Sequence, residues 1–142
     1  MERSPTTPDE HVARLPPEVR GDVVTLDLLI TKAMPGASRT LWEGRFWGGT
    51  HQKIIGYGDF VYKRPNKPTV EWFVVGLAFQ KNHLSLYVNA SDEEGHLLGR
   101  YAGRLGKVKV GSAVVNFKTV ADLDVGMLRE LLRETHRITS SD

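Results

Sequence analysis

The sequence predicts an α+β fold: one compact domain with a central, mainly antiparallel sheet of about five strands and helices from both chain ends packed on it. Three patterns carry this reading. Val19, Val23, Leu26, Ile30 and Ala33 recur at alternating spacings of four and three, one apolar stripe of a helix. Leu84, Leu86 and Val88 alternate with Ser85, Tyr87 and Asn89, a strand with one polar face. Near the end Val125, Leu128 and Leu132 share a helical face, flanked by Met127 and Leu131.

The remaining elements follow in chain order. Residues 1–8 have no periodic pattern and are expected to form a mobile tail, with the domain over 9–138 and a flexible end over 139–142. Asp9 to Leu15 reads as a short helical turn stopped by Pro16 and Pro17, and Pro17 suits the first turn of the next helix. Pro35 and Gly36 stop that helix. In the stretch that follows, Gly48-Gly49 and Gly58-Asp59 read as turns or bulges, and Ile54 to Tyr57 and Phe60 to Lys63 as short strands. Residues 64–68 read as a loop. The run from Glu71 to Gln80 is apolar on both faces: Trp72 and Val74 on one, Phe73, Val75, Leu77 and Phe79 on the other. Such a strand is central and covered on both sides. The polar corner Gln80-Lys81-Asn82-His83 then turns it into the Leu84–Val88 strand as an antiparallel hairpin. Ser91 with Glu94 three residues on has capping-box spacing and predicts a short helix over 92–104, weakened by three glycines. A loop, a short strand at "AVVNFKT" and a final helix capped by Asp122 or Asp124 complete the chain.

Composition narrows the chemistry. At 142 residues, with 40% hydrophobic and 25% charged residues, the chain can bury a core without staples. It has no cysteine, so disulfides and thiolate chemistry are excluded, and a reducing compartment suits it. The first residues lack the apolar core of a signal peptide, and no apolar run reaches membrane-spanning length, so a soluble cytoplasmic protein is expected. Net charge is only +2 but unevenly spread. Residues 95–121 carry Arg100, Arg104, Lys107, Lys109 and Lys118 and no acid. Solvated surface is the bland reading of this stretch; a face that attracts an anion is the sharper one.

No catalytic constellation emerges. No two of the five histidines sit three or four apart on one predicted helix, and there is no nucleophile elbow. The run "GRYAGRLGKVKVG" fails as a phosphate loop, because Tyr101 stands at the first required glycine and Val108 at the Ser/Thr position. His83 has two readings: the polar end of a hairpin, or a ligand contact. Trp42, Phe46, Trp47, Tyr57, Phe60, Tyr62 and Trp72 crowd into about thirty residues. Core packing is their default role. Because several adjoin glycines, Trp42, Tyr57 and Tyr62 could instead line a groove, with Lys107 and Lys109 at its mouth. Motifs for nucleic-acid binding are missing.

Three stretches, "LPPEVRGDVVTLDLLITKAMPG", "WFVVGLAFQKNHLSLYV" and "RLGKVKVGSAVVNFKTVADLDVGMLRELL", together resemble the YdhG-like family, a bacterial domain of unknown function. The resemblance covers roughly residues 10–137. It implies a compact α+β domain with a mainly antiparallel sheet and matches Gly106, Lys107, Lys109 and Gly111 to the family pattern. Some members are described as frataxin-like iron chaperones. On this chain such a role would fall to Glu18 and Asp22, four apart on one helix face. Asp27 falls elsewhere, and Asp92-Glu93-Glu94 occupies an expected helix start.

The sequence therefore points to a non-catalytic binding module for a small anion or an acidic protein partner, with no cofactor. Its expected contact residues are Trp42, Tyr57, Tyr62, His83, Lys107 and Lys109. The alternative is an intracellular iron chaperone using Glu18 and Asp22. A homodimer is left open by the pattern.

Overall fold

A computed structural model describes residues 1–45, 51–62 and 65–140, Tyr62 through its backbone alone. In chain order the elements are β1 (Glu2–Arg3), α1 (Pro8–Ala13), α2 (Pro17–Ala33), β2 (Arg39–Arg45), β3 (His51–Tyr57), β4 (Phe60–Tyr62), β5 (Val70–Trp72), β6 (Val75–Gln80), β7 (His83–Val88), β8 (Ser91–Asp92), β9 (Gly95–His96), β10 (Lys109–Val110), β11 (Val114–Phe117) and α3 (Val125–Thr139). Among the described residues the main sheet has seven strands in the order β1-β2-β3-β6-β7-β11-β10, all antiparallel. Its two outermost strands are only two residues long. β4 with β5, and β8 with β9, form separate two-stranded ribbons. The fold class is the α+β one expected, with a wider sheet than five strands.

Both helix stripes pack where their periodicity predicts. Leu26 and Ile30 of α2 and Leu128, Leu131 and Leu132 of α3 are fully buried. They meet Leu41, Ile55, Val75, Leu77, Leu84, Leu86, Val88, Val115 and Phe117 from one face of the sheet. Each such aliphatic side chain contributes about 1.5–3 kcal/mol by leaving water. Asp124, the second of the two caps considered, accepts from Met127 N at 3.0 Å and starts α3. Ahead of α1, Thr7 and Glu10 form a reciprocal capping box.

The opposite, second face holds a smaller core of Trp42, Ile54, Phe73 and Ala78. Phe73 makes it possible. The residues read as one strand are cut: β5 stops at Trp72 and β6 begins at Val75. Phe73 goes to the second face while Val74 and Val75 both join the helix-side core. Its ring lies over Gly76, while the Trp42 indole and the Phe73 Cβ cover Gly56, the partner of Gly76 across β3 and β6. A Cβ on Gly76 would stand 2.4 Å from Phe73 Cε1, and one on Gly56 2.7 Å from the Trp42 indole and 2.8 Å from Phe73 Cβ. Asn89 Nδ2 donates to the Phe73 carbonyl at 2.9 Å, satisfying backbone that the break leaves outside the ladder.

Other departures from the expected elements have local causes. Residues 1–8 are not an unpaired tail: Glu2 and Arg3 pair with Glu43 and Trp42. Residues 92–104 form no α-helix. Gly95, at φ 108°, turns the chain between β8 and β9, Asp92 Oδ1 accepts from Glu94 N at 2.9 Å, and 3-10 turns follow at Leu97–Arg100 and Ala102–Arg104. The expected Gly48-Gly49 turn, the Phe46 and Trp47 side chains, Lys63 at the end of its expected strand and residues 141–142 lie outside the described residues.

The helix layer is tied to the sheet by a polar knot. Asp27 of α2 accepts from Tyr57 Oη at 2.6 Å and from Arg39 Nε and Nη2 at 2.9 and 2.7 Å; Arg39 also reaches Asp9 at 2.9 Å. Arg39 and Tyr57 are register partners on β2 and β3, so both arrive on the same side of the sheet. Burial opposes the Arg39 charge, but the Asp27 and Asp9 carboxylates outweigh it and hold the proton more firmly than usual. Burial, then the Asp27 charge, pushes the Tyr57 phenol well above its ordinary value.

Two tests follow from this packing. Gly76→Ala should cost about 1–3 kcal/mol in urea unfolding, through overpacking against Phe73, and clearly less in a Phe73→Leu background, where the ring is gone. Equal costs in both backgrounds would contradict the ring-on-glycine account. Tyr57→Phe should cost about 1–1.5 kcal/mol near neutral pH. Above pH about 10 the unfolded chain releases the phenolic proton that the folded chain retains, so wild-type stability falls as pH rises. Unfolding curves between neutral and alkaline pH should therefore show a shallower alkaline loss in Tyr57→Phe.

Candidate functional site

The second face also carries a row of uncharged polar side chains crossing four strands. It is set by strand alternation and register. Gln52 on β3, Gln80 on β6, Ser85 and Tyr87 on β7 and Asn116 on β11 all point away from the helices. Gln80 Nε2 donates to Gln52 Oε1 and to Tyr87 Oη, both at 2.9 Å. Ser85 Oγ lies 2.7 Å from Gln80 Oε1 and 2.6 Å from Asn116 Oδ1. One hydroxyl proton cannot serve two carbonyl oxygens; the network closes when Asn116 turns its NH2 toward Ser85. Ser85 is fully buried under these contacts. Asn116 is in turn the register partner of Lys109, which places an exposed ammonium at the edge of the same face.

Beside the amide row stand the aromatics. Trp72 stacks on Phe73 at 4.4 Å, Trp42 lies 5.3 Å from Trp72, and Tyr87 meets Phe73 edge-on at 6.2 Å. Arg3 sits over the Trp42 ring at 4.6 Å and pairs with Glu71 at 2.8 Å. The face thus joins a buried aromatic core, with Phe73 fully covered and Trp42 nearly so, to a row of half-buried amides. Ser85 is bonded to amides, which cannot take up its proton, so the geometry activates no nucleophile there.

The six residues singled out from sequence do not form one groove. Trp42 and Tyr57 lie on opposite faces: Trp42 is buried in the second-face core, and Tyr57 is buried among the helices and committed to Asp27. The Tyr62 side chain lies outside what the structure describes. His83 begins β7 opposite Gln80, half-buried, and closes a two-residue hairpin in which Lys81 has φ 50°. Alternation puts its ring on the second face. Lys109 shares that face with Trp42, but four strands intervene, a span of about 24 Å at ordinary strand spacing. Lys107 is exposed in the preceding loop.

That loop has a structural reason for its pattern. Gly106 adopts φ 102°, and a Cβ there would stand 2.2 Å from the Asp122 carbonyl. Lys107 N donates to that same carbonyl at 2.7 Å, and Asp124 N to Leu105 O at 2.8 Å. The loop is thereby pinned to the start of α3, leaving the Lys107 side chain outside. The basic stretch is unevenly neutralised. Arg100 pairs with Asp92 and Glu94. Arg104 lies over the Tyr101 ring at 4.9 Å. Among the described residues, Arg104, Lys107, Lys109 and Lys118 form no ion pair.

Asp22 Oδ2 accepts from Val120 N at 3.2 Å, holding a 3-10 turn against α2, and Glu18 is exposed. Among the described residues, no three His, Asp or Glu side chains converge as a metal site would require. A cleft of about 330 Å³ beside β1 is walled by Arg3, Ser4, Glu43 and His51. In it Ser4 donates to Glu43 at 2.9 Å and His51 Nε2 lies 3.3 Å from the same carboxylate. The Ser4 bond, then His51, holds the Glu43 carboxyl below its usual range. Ser4 reaches Glu43 Oε1 and His51 its Oε2, one on each carboxylate oxygen.

Sequence reasoning did not find Gln52, Ser85 or Asn116. The polar face of the Ser85–Tyr87 strand was the available signal, but its neighbours could be named only once the sheet order was known. Compared with protein-family models, with curated proteins and with solved structures, the chain matches none.

Proposed function

We propose that the chain is a non-catalytic binding module whose contact surface runs along the second face, from the amide row to the Lys109 edge. The observation that carries this reading is the continuity of that row. Gln52, Gln80, Ser85 and Asn116 are hydrogen-bonded in sequence, and Lys109 stands opposite the last of them. A row of amides offers both donors and acceptors, and an unpaired ammonium at its end favours an anion. Arg104, Lys107 and Lys118 reinforce that sign. The ligand class is a small anion; an acidic protein partner is the alternative that shares the same charge. The YdhG-like resemblance and a place in the reducing cytoplasm belong to the same proposal. The iron-chaperone alternative has less support, because Asp22 is already engaged by Val120.

The test is thermal unfolding with inorganic phosphate, nucleoside monophosphates and Fe(II). An anion at a hundred times its Kd should stabilise the protein by about 2.7 kcal/mol. Lys109→Ala should weaken that anion at least several-fold, and Lys107→Ala should weaken it less, while ligand-free Tm stays unchanged, since both side chains are exposed. Unaltered affinity in both variants would contradict the proposal. A shift with Fe(II) alone would favour the iron reading.

A further inference from the structure

The outer face of α2 is unusual for a surface helix. Pro17, Gly21, Val24, Leu28 and Thr31 recur along one side without a charge, and all are exposed, Val24 to 43% and Leu28 to 55%. The threonines beside and within this stripe are less polar than their composition suggests. Thr25 Oγ1 donates to the Gly21 carbonyl at 3.0 Å and Thr31 Oγ1 to the Asp27 carbonyl at 2.7 Å. Both hydroxyls are thus consumed by the helix itself. Val24 and Leu28, one turn apart near the middle of this uncharged face, form the apolar knob that a partner would cover.

The flanking charges identify which partner. Glu18, Thr25 and Lys32 run along one border of the stripe at seven-residue intervals, with the acid at one end, the base at the other and Thr25 midway. All three are exposed, and neither Glu18 nor Lys32 forms an ion pair within the described chain. A second copy packed antiparallel, with a two-fold axis at Thr25, keeps this border facing its own equivalent with the direction reversed. Glu18 of each copy then meets Lys32 of the other, twice per pair. The same operation brings each Leu28 toward the other copy's Gly21, where the space an added Cβ would occupy is empty. A two-fold interface must be complementary to itself, and this stripe is. Parallel packing would leave Leu28 about two turns from the other copy's Gly21 and each Lys32 far from the other copy's Glu18.

We infer that α2 is a homodimerisation surface, two copies packing antiparallel along the seventeen residues of the helix, about 25 Å. It lies on the side of the molecule away from the second face of the sheet, so dimerisation leaves the proposed ligand surface free.

Sedimentation velocity across a hundredfold range of protein concentration tests this. Wild type should pass from monomer to dimer. Leu28→Glu should weaken the dimer at least tenfold. Glu18→Lys and Lys32→Glu should each weaken it about three- to tenfold, and the double swap should restore it. Circular dichroism should show all four variants folded, because every altered side chain is exposed. A wild type monomeric at every concentration, a dimer indifferent to Leu28→Glu, or a double swap no tighter than the single ones would overturn the inference.

Discussion

The structure turns on one steric fact: two paired glycines on adjacent strands leave room for Phe73 and the Trp42 indole to pack directly on the sheet backbone. Gly56 and Gly76 face each other across β3 and β6, and Phe73 together with the Trp42 indole occupies the volume their side chains would fill. This placement needs Phe73 to lie outside the strand ladder, so the chain breaks between β5 and β6. The break shifts the alternation by one residue, sending Val74 and Val75 both to the helix side. From Val75 on, the register assigns every side chain of β6 and β7 to its face. A slip of one residue there would turn Leu77, Leu84 and Leu86 to the second face and drive Gln80 and Ser85 into the helix-side core.

The two faces then do different work. On the helix side, apolar stripes supply most of the burial, and the Asp27–Tyr57–Arg39 knot orients α2 over the first strands. The Arg39 guanidinium serves both the Asp27 and Asp9 carboxylates, and the Tyr57 hydroxyl gives Asp27 a further donor, so the partly buried charges hold one another. On the second side, the aromatic core near β2 and β3 gives way to the amide row, then to the ammonium at the β10 edge. The gradient from apolar to polar to cationic follows the strand order, although its members are scattered from Trp42 to Asn116 in the sequence.

What the sequence made legible was periodic. Both long helices, the β6–β7 hairpin and the polar face of β7 follow from spacing alone. The misses share a physical cause, in that they depend on partners distant in the chain. Ser91 and Glu94 have capping-box spacing, but Gly95 turns the chain into a ribbon before a helix can start. Trp42 and Tyr57 look like neighbours in an aromatic-rich segment, yet parity on paired strands separates them by the thickness of the sheet. Lys109 joins the second face only because β10 returns beside Asn116. Gly106 reads as part of a motif and proves to be a packing requirement against Asp122.

The most direct test of the central claim, that the second face is the ligand surface, is an NMR titration of the 15N-labelled protein with inorganic phosphate and nucleoside monophosphates. The account predicts saturable amide shifts at Gln52, Gln80, Ser85, Asn116 and Lys109, with α2 and α3 unmoved. Saturable shifts confined to the helices or to the cleft beside β1, or no saturable shift with any anion, would contradict it.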